Sequence, residues 1–212
     1  MNNKTLLCCL PAILGAPSFG AYASGKETPE RDGNGTAGRP NVLFLLTDDQ
    51  TFSTIRAWGN SDIHTPNMDR LVRRGVSFTQ THVMGGFNGA ISQPSRAMLL
   101  TGRGLMDVHR NGGLIPETEK TFPELFRENG YTTFATGKWH SDNASFNRSF
   151  STGANIFFGG MHPYGRNNEL GHRRPYLHQY DPAGRYDNTN GVWVDVSLDT
   201  FSSELYADAA IG

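Results

Sequence analysis

The chain has 212 residues, which is enough for one large domain or two small ones with a substantial hydrophobic core. Its formal net charge of −1 at pH 7 argues against a nucleic-acid-binding protein that relies on a broad basic surface. With 37% hydrophobic residues, 25 glycines and 11 prolines, the composition is typical of a loop-rich globular protein rather than a coiled coil or a disordered chain.

Residues 1–23 are predicted to be an export signal. Lys4 gives a short positive region, residues 6–14 are largely apolar, and residues 21–23 have the small-x-small form of a cleavage site. The apolar run is too short for a membrane span, so we expect a periplasmic or secreted protein. Both cysteines, Cys8 and Cys9, would leave with the signal, and lipid attachment at either of them is left open.

The first folded element is predicted after a polar, glycine-rich leader at residues 24–39. Residues 41–46 form a run that is continuously apolar after Asn41, which is typical of a strand buried on both faces of a parallel sheet. Asp48 and Asp49 follow at its carboxyl end, where open α/β sheets place functional groups. Adjacent carboxylates repel unless a cation shares them, and Ca²⁺ or Mg²⁺ prefers oxygen ligands. A solvated turn is the alternative interpretation.

A helix is predicted between Thr65 and Gly75. Thr65 can cap it, Pro66 can occupy its first turn, and Gly75 can end it. Residues 76–78 then have the pattern of a short second strand.

The segment Ser92–Arg103, SQPSRAMLLTGR, predicts a second helix with a serine at its N-terminus. Proline is favoured in a first helical turn, the apolar run favours a helix, and Gly102 is suited to end it. Free backbone N–H groups and the helix dipole favour negative charge at such a terminus. Ser92, with Arg96 about one turn further on, is therefore a candidate nucleophile that faces an anion.

The segment Thr121–Gly130 is predicted to form another helix that buries Leu125 and Phe126, followed by a strand-like run at 131–136. Strands that alternate with capped helices predict an α/β fold with a mainly parallel sheet flanked by helices.

Lys138 and His140 follow this run, again at a carboxyl end. Lysine offers a compact positive charge, and histidine can donate a hydrogen bond or move a proton, which suits an anionic ester and its leaving group. A surface lysine beside a packed tryptophan is the commoner explanation of such a pair.

Three motifs resemble the sulfatase family, in the order in which that family has them. RPNVLFLLTDDQ is similar to its opening strand, SQPSRAMLLTGR to its signature, and GKWH to its Gly-Lys-Trp-His element. The family usually continues GKWH with Leu-Gly, whereas Ser141 and Asp142 follow here. The resemblance implies an alkaline-phosphatase-like fold, with residues 40–212 as the N-terminal part of the catalytic domain.

The resemblance also implies sulfate-ester hydrolysis. In serine-type sulfatases a radical-SAM maturase oxidises the residue that corresponds to Ser92 to formylglycine, whose hydrated form attacks sulfur. Because the mature chain is predicted to lack cysteine, the cysteine version of this site is excluded. Arg96 would hold the modified residue, and Lys138 and His140 would contact the sulfate.

By the same resemblance, Asp48, Asp49 and Ser92 would bind a divalent cation, most often Ca²⁺ and otherwise Mg²⁺. The substrate would be a sulfated carbohydrate or an aryl sulfate. Residues 153–199 are predicted to form an irregular substrate loop whose cationic and aromatic side chains suit a sulfated sugar, and a solvated loop is the alternative.

Two other functions stay open from the sequence. One is a phosphatase or phosphodiesterase of the same superfamily that uses unmodified Ser92, and the other is a non-catalytic anion- or glycan-binding remnant. Residues 202–211 are predicted to begin a helix just before the chain stops, so we expect a piece of a longer protein that is itself inactive.

Overall fold

The computed structural model describes residues 5–9, 39–89, 91–109, 114–160, 177–186 and 200–212. The chain divides into two compact units, residues 1–83 and residues 84–212.

The first unit contains a two-stranded parallel sheet. Strand β1, Thr5–Cys9, lies within the predicted export signal, whose cleavage stays a prediction, and pairs with strand β2, Asn41–Leu45. Because Val42, Leu43 and Leu45 are 40–45% exposed, the prediction that this strand is buried on both faces is wrong. Burial of a parallel strand requires covering layers on both faces, and the described residues of this unit give β2 one neighbouring strand.

The first unit continues through two 3₁₀ turns, Phe52–Thr54 and Arg56–Trp58, to helix α1, Pro66–Arg74. The Thr65 hydroxyl precedes α1 as predicted, but it donates to the Asp69 carboxylate (2.8 Å) instead of capping the helix backbone. The same carboxylate accepts a backbone N–H of the second turn (2.9 Å), which ties that turn to the helix. Burial raises the pKa of Asp69, but these hydrogen bonds and nearby arginines bring it below its usual value.

The second unit contains a three-stranded mixed sheet in the order β3–β4–β5. Strand β3, Phe134–Lys138, is parallel to β4, Thr152–Phe157, and β5, Leu177–His178, is antiparallel to β4. Asn155 is an extra residue in β4 with φ of 48°, so it forms a bulge that shifts the register with β3. Its side chain donates to the carbonyl of Leu205 (2.9 Å). The predicted α/β arrangement with parallel strands is confirmed.

The described helices of this unit are α2, Ser92–Thr101; α3, Leu105–His109; α4, Phe122–Glu128; α5, Asn143–Ser149; and α6, Ser202–Ile211. Helix α2 ends as predicted at Gly102, whose φ of 67° lies in the left-handed region that glycine adopts without strain. Helix α4 begins with a reciprocal capping box between Thr121 and Glu124. Across the described part of the chain, no helix is both long and apolar enough to cross a membrane.

The core of the second unit is built from helices α2 and α5 and the sheet. Trp139 packs edge-to-face against Phe146 and Phe150, with ring centroids 5.4 Å away in each case. The other buried members of this cluster are Ala97, Leu100, Val108, Ile115, Ile156 and Tyr186. The indole therefore anchors the chain just after β3 in the core.

Several predicted boundaries differ from the structure. Residues 76–78 form no strand, because they have no ladder partner in the described part of their unit, and Phe78 is 71% exposed. Pairing with β4 makes β3 begin three residues later, and end two residues later, than the predicted run at 131–136. Strand β4 itself extends into the stretch predicted to be irregular, where Gly153 and Asn155 obscured its pattern. Leu125 is exposed rather than buried.

Candidate active site

One face of helix α2 contacts the end of strand β3. Ser92 and Arg96 are four residues apart, so they lie on the same side of the helix. The Ser92 hydroxyl oxygen is 3.2 Å from Nδ1 of His140, and Arg96 Nη1 donates to the backbone carbonyl of Lys138 (2.5 Å). The structure thus brings together the four residues predicted to be catalytic, whose roles stay predictions.

Ser92 occupies the first position of α2 rather than the cap position. Ile91 precedes the helix, and no side chain of the cap residue bonds the helix backbone. The Ser92 side chain is half-buried and is directed to His140, where the helix terminus favours negative charge. The position therefore combines a hydroxyl, an imidazole and an electropositive helix end.

Arg96 is only 9% exposed, and its guanidinium contributes a structural contact that the sequence did not indicate. Its hydrogen bond to the Lys138 carbonyl joins the first turns of α2 to the last residue of β3. A hydrogen bond from a charged donor is stronger than a neutral one, so Arg96 holds the two elements in a fixed relation.

Trp139 separates the two site residues Lys138 and His140. Its backbone N–H donates to the carbonyl of Phe157 (2.8 Å), which continues the pairing of β3 with β4 by one residue. Its indole N–H donates to the Asp142 carbonyl and to the Ser145 hydroxyl, both at 3.1 Å. The interpretation of this tryptophan as a packed core residue is confirmed.

His140 has a left-handed backbone, with φ of 57°. This conformation is uncommon outside glycine, and it ends the strand direction immediately after Trp139. Beyond it, the Asp142 carboxylate caps α5 by accepting the N–H of Ser145 (2.7 Å). The departure from the family's Leu-Gly thus provides Asp142, the cap of α5.

Asp48 and Asp49 lie just beyond β2 and are exposed. Their carboxylates are the hard oxygen ligands that Ca²⁺ and Mg²⁺ prefer, so their chemistry fits such a cation. Within the described residues, no group of three or more His, Cys, Asp or Glu side chains is arranged to hold a metal ion. The assignment of Ser92 as a third ligand stays a prediction.

The predicted substrate loop is described only in part, because residues 161–176 and 187–199 lie outside the described residues. His178 belongs to β5 and is buried against aromatic rings, and this burial lowers its pKa. Arg185 pairs with the buried carboxylate of Asp181 (2.9 Å). Both side chains therefore have structural surroundings, and burial favours the neutral form of His178.

Two close contacts beside the site were not predicted from the sequence. A side chain at Gly160 would meet the His140 imidazole, and one at Gly137 would meet the ring of Tyr206 (3.3 Å). The glycine pair that follows β4 is the only local feature that could have indicated the first contact. The second contact joins β3 to a helix far along the chain.

A serine at a helix end, beside a histidine, a lysine and an arginine, is an arrangement suited to an anionic ester. The family model described as Sulfatase matches residues 40–208, and the chain belongs to this family of sulfuric ester hydrolases. The predicted family is confirmed.

Three relatives illustrate the similarity. N-acetylglucosamine-6-O-sulfatase of Bacteroides thetaiotaomicron is 38% identical over 144 residues, covering 66% of this chain and 23% of that protein. Arylsulfatase J of Mus musculus is 30% identical over 201 residues, covering 85% of this chain and 30% of that protein. N-acetylgalactosamine-6-sulfatase of Canis lupus familiaris is 31% identical over 176 residues, covering 73% of this chain and 33% of that protein. The chain thus spans a third or less of these relatives, and no solved structure matches it significantly.

Proposed function

We propose that the protein hydrolyses sulfate esters at the Ser92 site. The observation that carries this proposal is the 3.2 Å contact between the Ser92 hydroxyl and Nδ1 of His140 at the start of α2. The pair combines a nucleophilic oxygen with a group that can accept or return its proton. Membership of the sulfatase family makes sulfate the expected anion.

The neighbouring residues have complementary roles in this proposal. The Lys138 ammonium attracts the sulfate oxygens, and the buried Arg96 charge keeps the end of β3 against the nucleophile. His140 Nδ1 holds the proton of the residue-92 hydroxyl. Fixed positive charge of this kind favours a transition state in which negative charge moves onto oxygen.

A divalent cation is part of the proposal, with Ca²⁺ preferred to Mg²⁺. Asp48 and Asp49, together with residue 92, would hold it through oxygen ligands. When bound, such a cation supplies positive charge that lowers the pKa of an oxygen nucleophile.

We further propose that Ser92 is oxidised to formylglycine by a radical-SAM maturase that acts before or during export. The substrate class proposed is a sulfated carbohydrate, with an aryl sulfate second. Two of the three relatives above are named for 6-sulfated amino sugars, and the third is named an arylsulfatase.

The mass of the tryptic peptide 75–96 tests the modification, because conversion of Ser92 to formylglycine removes two hydrogens. The protein is expressed from its complete coding sequence with the maturase and assayed on sulfated glycans, an aryl sulfate and matched phosphate esters. Ser92→Ala should abolish sulfate release, whereas Ser95→Ala, on the same helix, should retain it. An unmodified Ser92 in an enzyme that prefers phosphate esters would refute the proposal.

Calcium-dependent stability tests the cation ligands separately from activity. Added Ca²⁺ should raise the Tm of the protein, because a ligand that binds only the folded state stabilises it. Asp48→Asn and Asp49→Asn should each reduce this rise, whereas Asp62→Asn, another exposed carboxylate of the first unit, should not. An equal rise in all variants would contradict the assignment.

A further inference from the structure

Gly160 lies directly against the imidazole of His140. A Cβ atom added at this glycine would be 2.7 Å from Nε2 and 3.0 Å from Cε1 of the ring, closer than real Cβ contacts allow. The backbone of residue 160 therefore occupies the space beside one edge of the ring, and any side chain there would displace the imidazole.

A different atom of the same ring, Nδ1, is 3.2 Å from the Ser92 hydroxyl oxygen. The left-handed backbone of His140, with φ of 57°, sets the direction in which the side chain leaves the chain. The imidazole is thus held between the start of α2 and the segment that follows β4.

We propose that Gly160 is a positioning residue for His140, and that its lack of a side chain lets the imidazole face Ser92. A methyl group at residue 160 can be accommodated if the imidazole turns away, because the ring is at the end of a rotatable side chain. The turn would break the contact with Ser92. The positioning of His140 by Gly160 does not depend on which reaction the protein catalyses. The expected effect of Gly160 on turnover, in contrast, rests on the proposed sulfatase function.

The adjacent glycine offers a matched control. A Cβ added at Gly159 would be 2.6 Å from the buried ring of Phe157, so an alanine there creates a comparable overlap that does not involve His140. Gly160→Ala should lower kcat about 100-fold with little change in KM, since misplacement by about 1 Å has that effect. Gly159→Ala should lower Tm and leave kcat nearly unchanged.

A spectroscopic measurement at one fixed pH makes the test independent of activity. Each imidazole gives separate signals in a ¹H–¹³C correlation NMR spectrum. The signals of His140 are identified as those that are absent from the spectrum of His140→Asn. Gly160→Ala should move the His140 signals, and Gly159→Ala should leave them in place. Unchanged His140 signals in Gly160→Ala, or equal changes in both variants, would overturn the proposal. If Gly160→Ala moves the His140 signals but the wild-type protein does not hydrolyse sulfate esters, the proposed function is refuted and the positioning role of Gly160 is retained.

If Gly160→Ala does not fold, combining it with His140→Ala still tests the proposal. Removing the imidazole in His140→Ala leaves room for the new methyl group, so the double variant should recover the fold and the Tm of His140→Ala. Equal loss of the fold in the double variant would show that residue 160 acts through other contacts and would overturn the proposal.

Discussion

Replacement of Trp139 by phenylalanine tests whether the core anchors the site. The indole N–H donates to the Asp142 carbonyl and the Ser145 hydroxyl, and the phenyl ring loses this donor. The Asp142 carbonyl still accepts the Ser145 hydroxyl at 2.8 Å, so it is not left unpaired. The lost hydrogen bond therefore costs only its net contribution, about 1 kcal/mol.

The smaller ring also leaves a void in the core. A volume of roughly 40 Å³ at about 24 cal/mol per Å³ adds about 1 kcal/mol to the destabilisation. The free energy of unfolding should therefore fall by about 2 kcal/mol, which corresponds to a decrease in Tm of about 4–8 °C for a protein of this size.

Urea unfolding followed by circular dichroism measures this change, and Trp58→Phe is the matched control. The Trp58 ring stacks on Phe52 with centroids 4.8 Å apart, and its buried indole nitrogen has no hydrogen-bond partner among the described residues. Its replacement removes volume but no hydrogen bond, and it also removes a buried donor without a partner among the described residues, so we expect a loss of less than about 1 kcal/mol. Equal losses at the two positions would refute the assignment of the hydrogen-bond contribution to Trp139.

Three further substitutions test the second unit. Thr121→Val removes a buried hydroxyl that caps α4 and bonds Ser149 (2.7 Å), so unfolding by urea should become easier by about 1–2 kcal/mol, whereas Thr121→Ser should lose less. Burial lowers the pKa of His178 in the folded protein, so the unfolded chain binds the proton more readily. The free energy of unfolding should therefore fall as pH drops below the unfolded pKa of about 6.5. His178→Gln should flatten this part of the dependence of unfolding free energy on pH, and an unchanged dependence would contradict the role of His178. In Gly137→Ala, the new side chain would be strained by the φ of 90° and would lie 3.3 Å from the ring of Tyr206, so the free energy of unfolding should fall by about 1–3 kcal/mol. The control Gly89→Ala places its methyl group in open space, so it should lower Tm much less.

Local signals were sufficient where one segment decides its own structure. The helix that begins at Ser92 and ends at Gly102 was predicted from its proline, its apolar run and its glycine, and the structure has the same limits. A helix opening at Thr121 was also predicted, and α4 begins at the next residue, with Thr121 as its cap. Capping and termination depend on neighbours within a few residues, so these features are visible in a single sequence.

Burial and strand limits were harder to predict, because they depend on partners elsewhere in the chain. The apolar run of β2 matched the pattern of a buried strand, yet its side chains are substantially exposed. The limits of β3 follow from its ladder with β4 and from the bulge at Asn155, neither of which periodicity reveals. An apolar pattern records what a segment can bury, whereas its neighbours decide what is buried.

For the site, local sequence established which chemical groups are present, and the motifs around Ser92, Lys138 and His140 established the family. Only the packing of α2 against the end of β3 decided that Ser92 meets His140, 48 residues later in the chain. The place of Gly160 beside the imidazole was likewise decided by tertiary structure. Distances of a few ångströms between remote segments depend on how the core fills, through Arg96 and Trp139 here, and no local pattern encodes them.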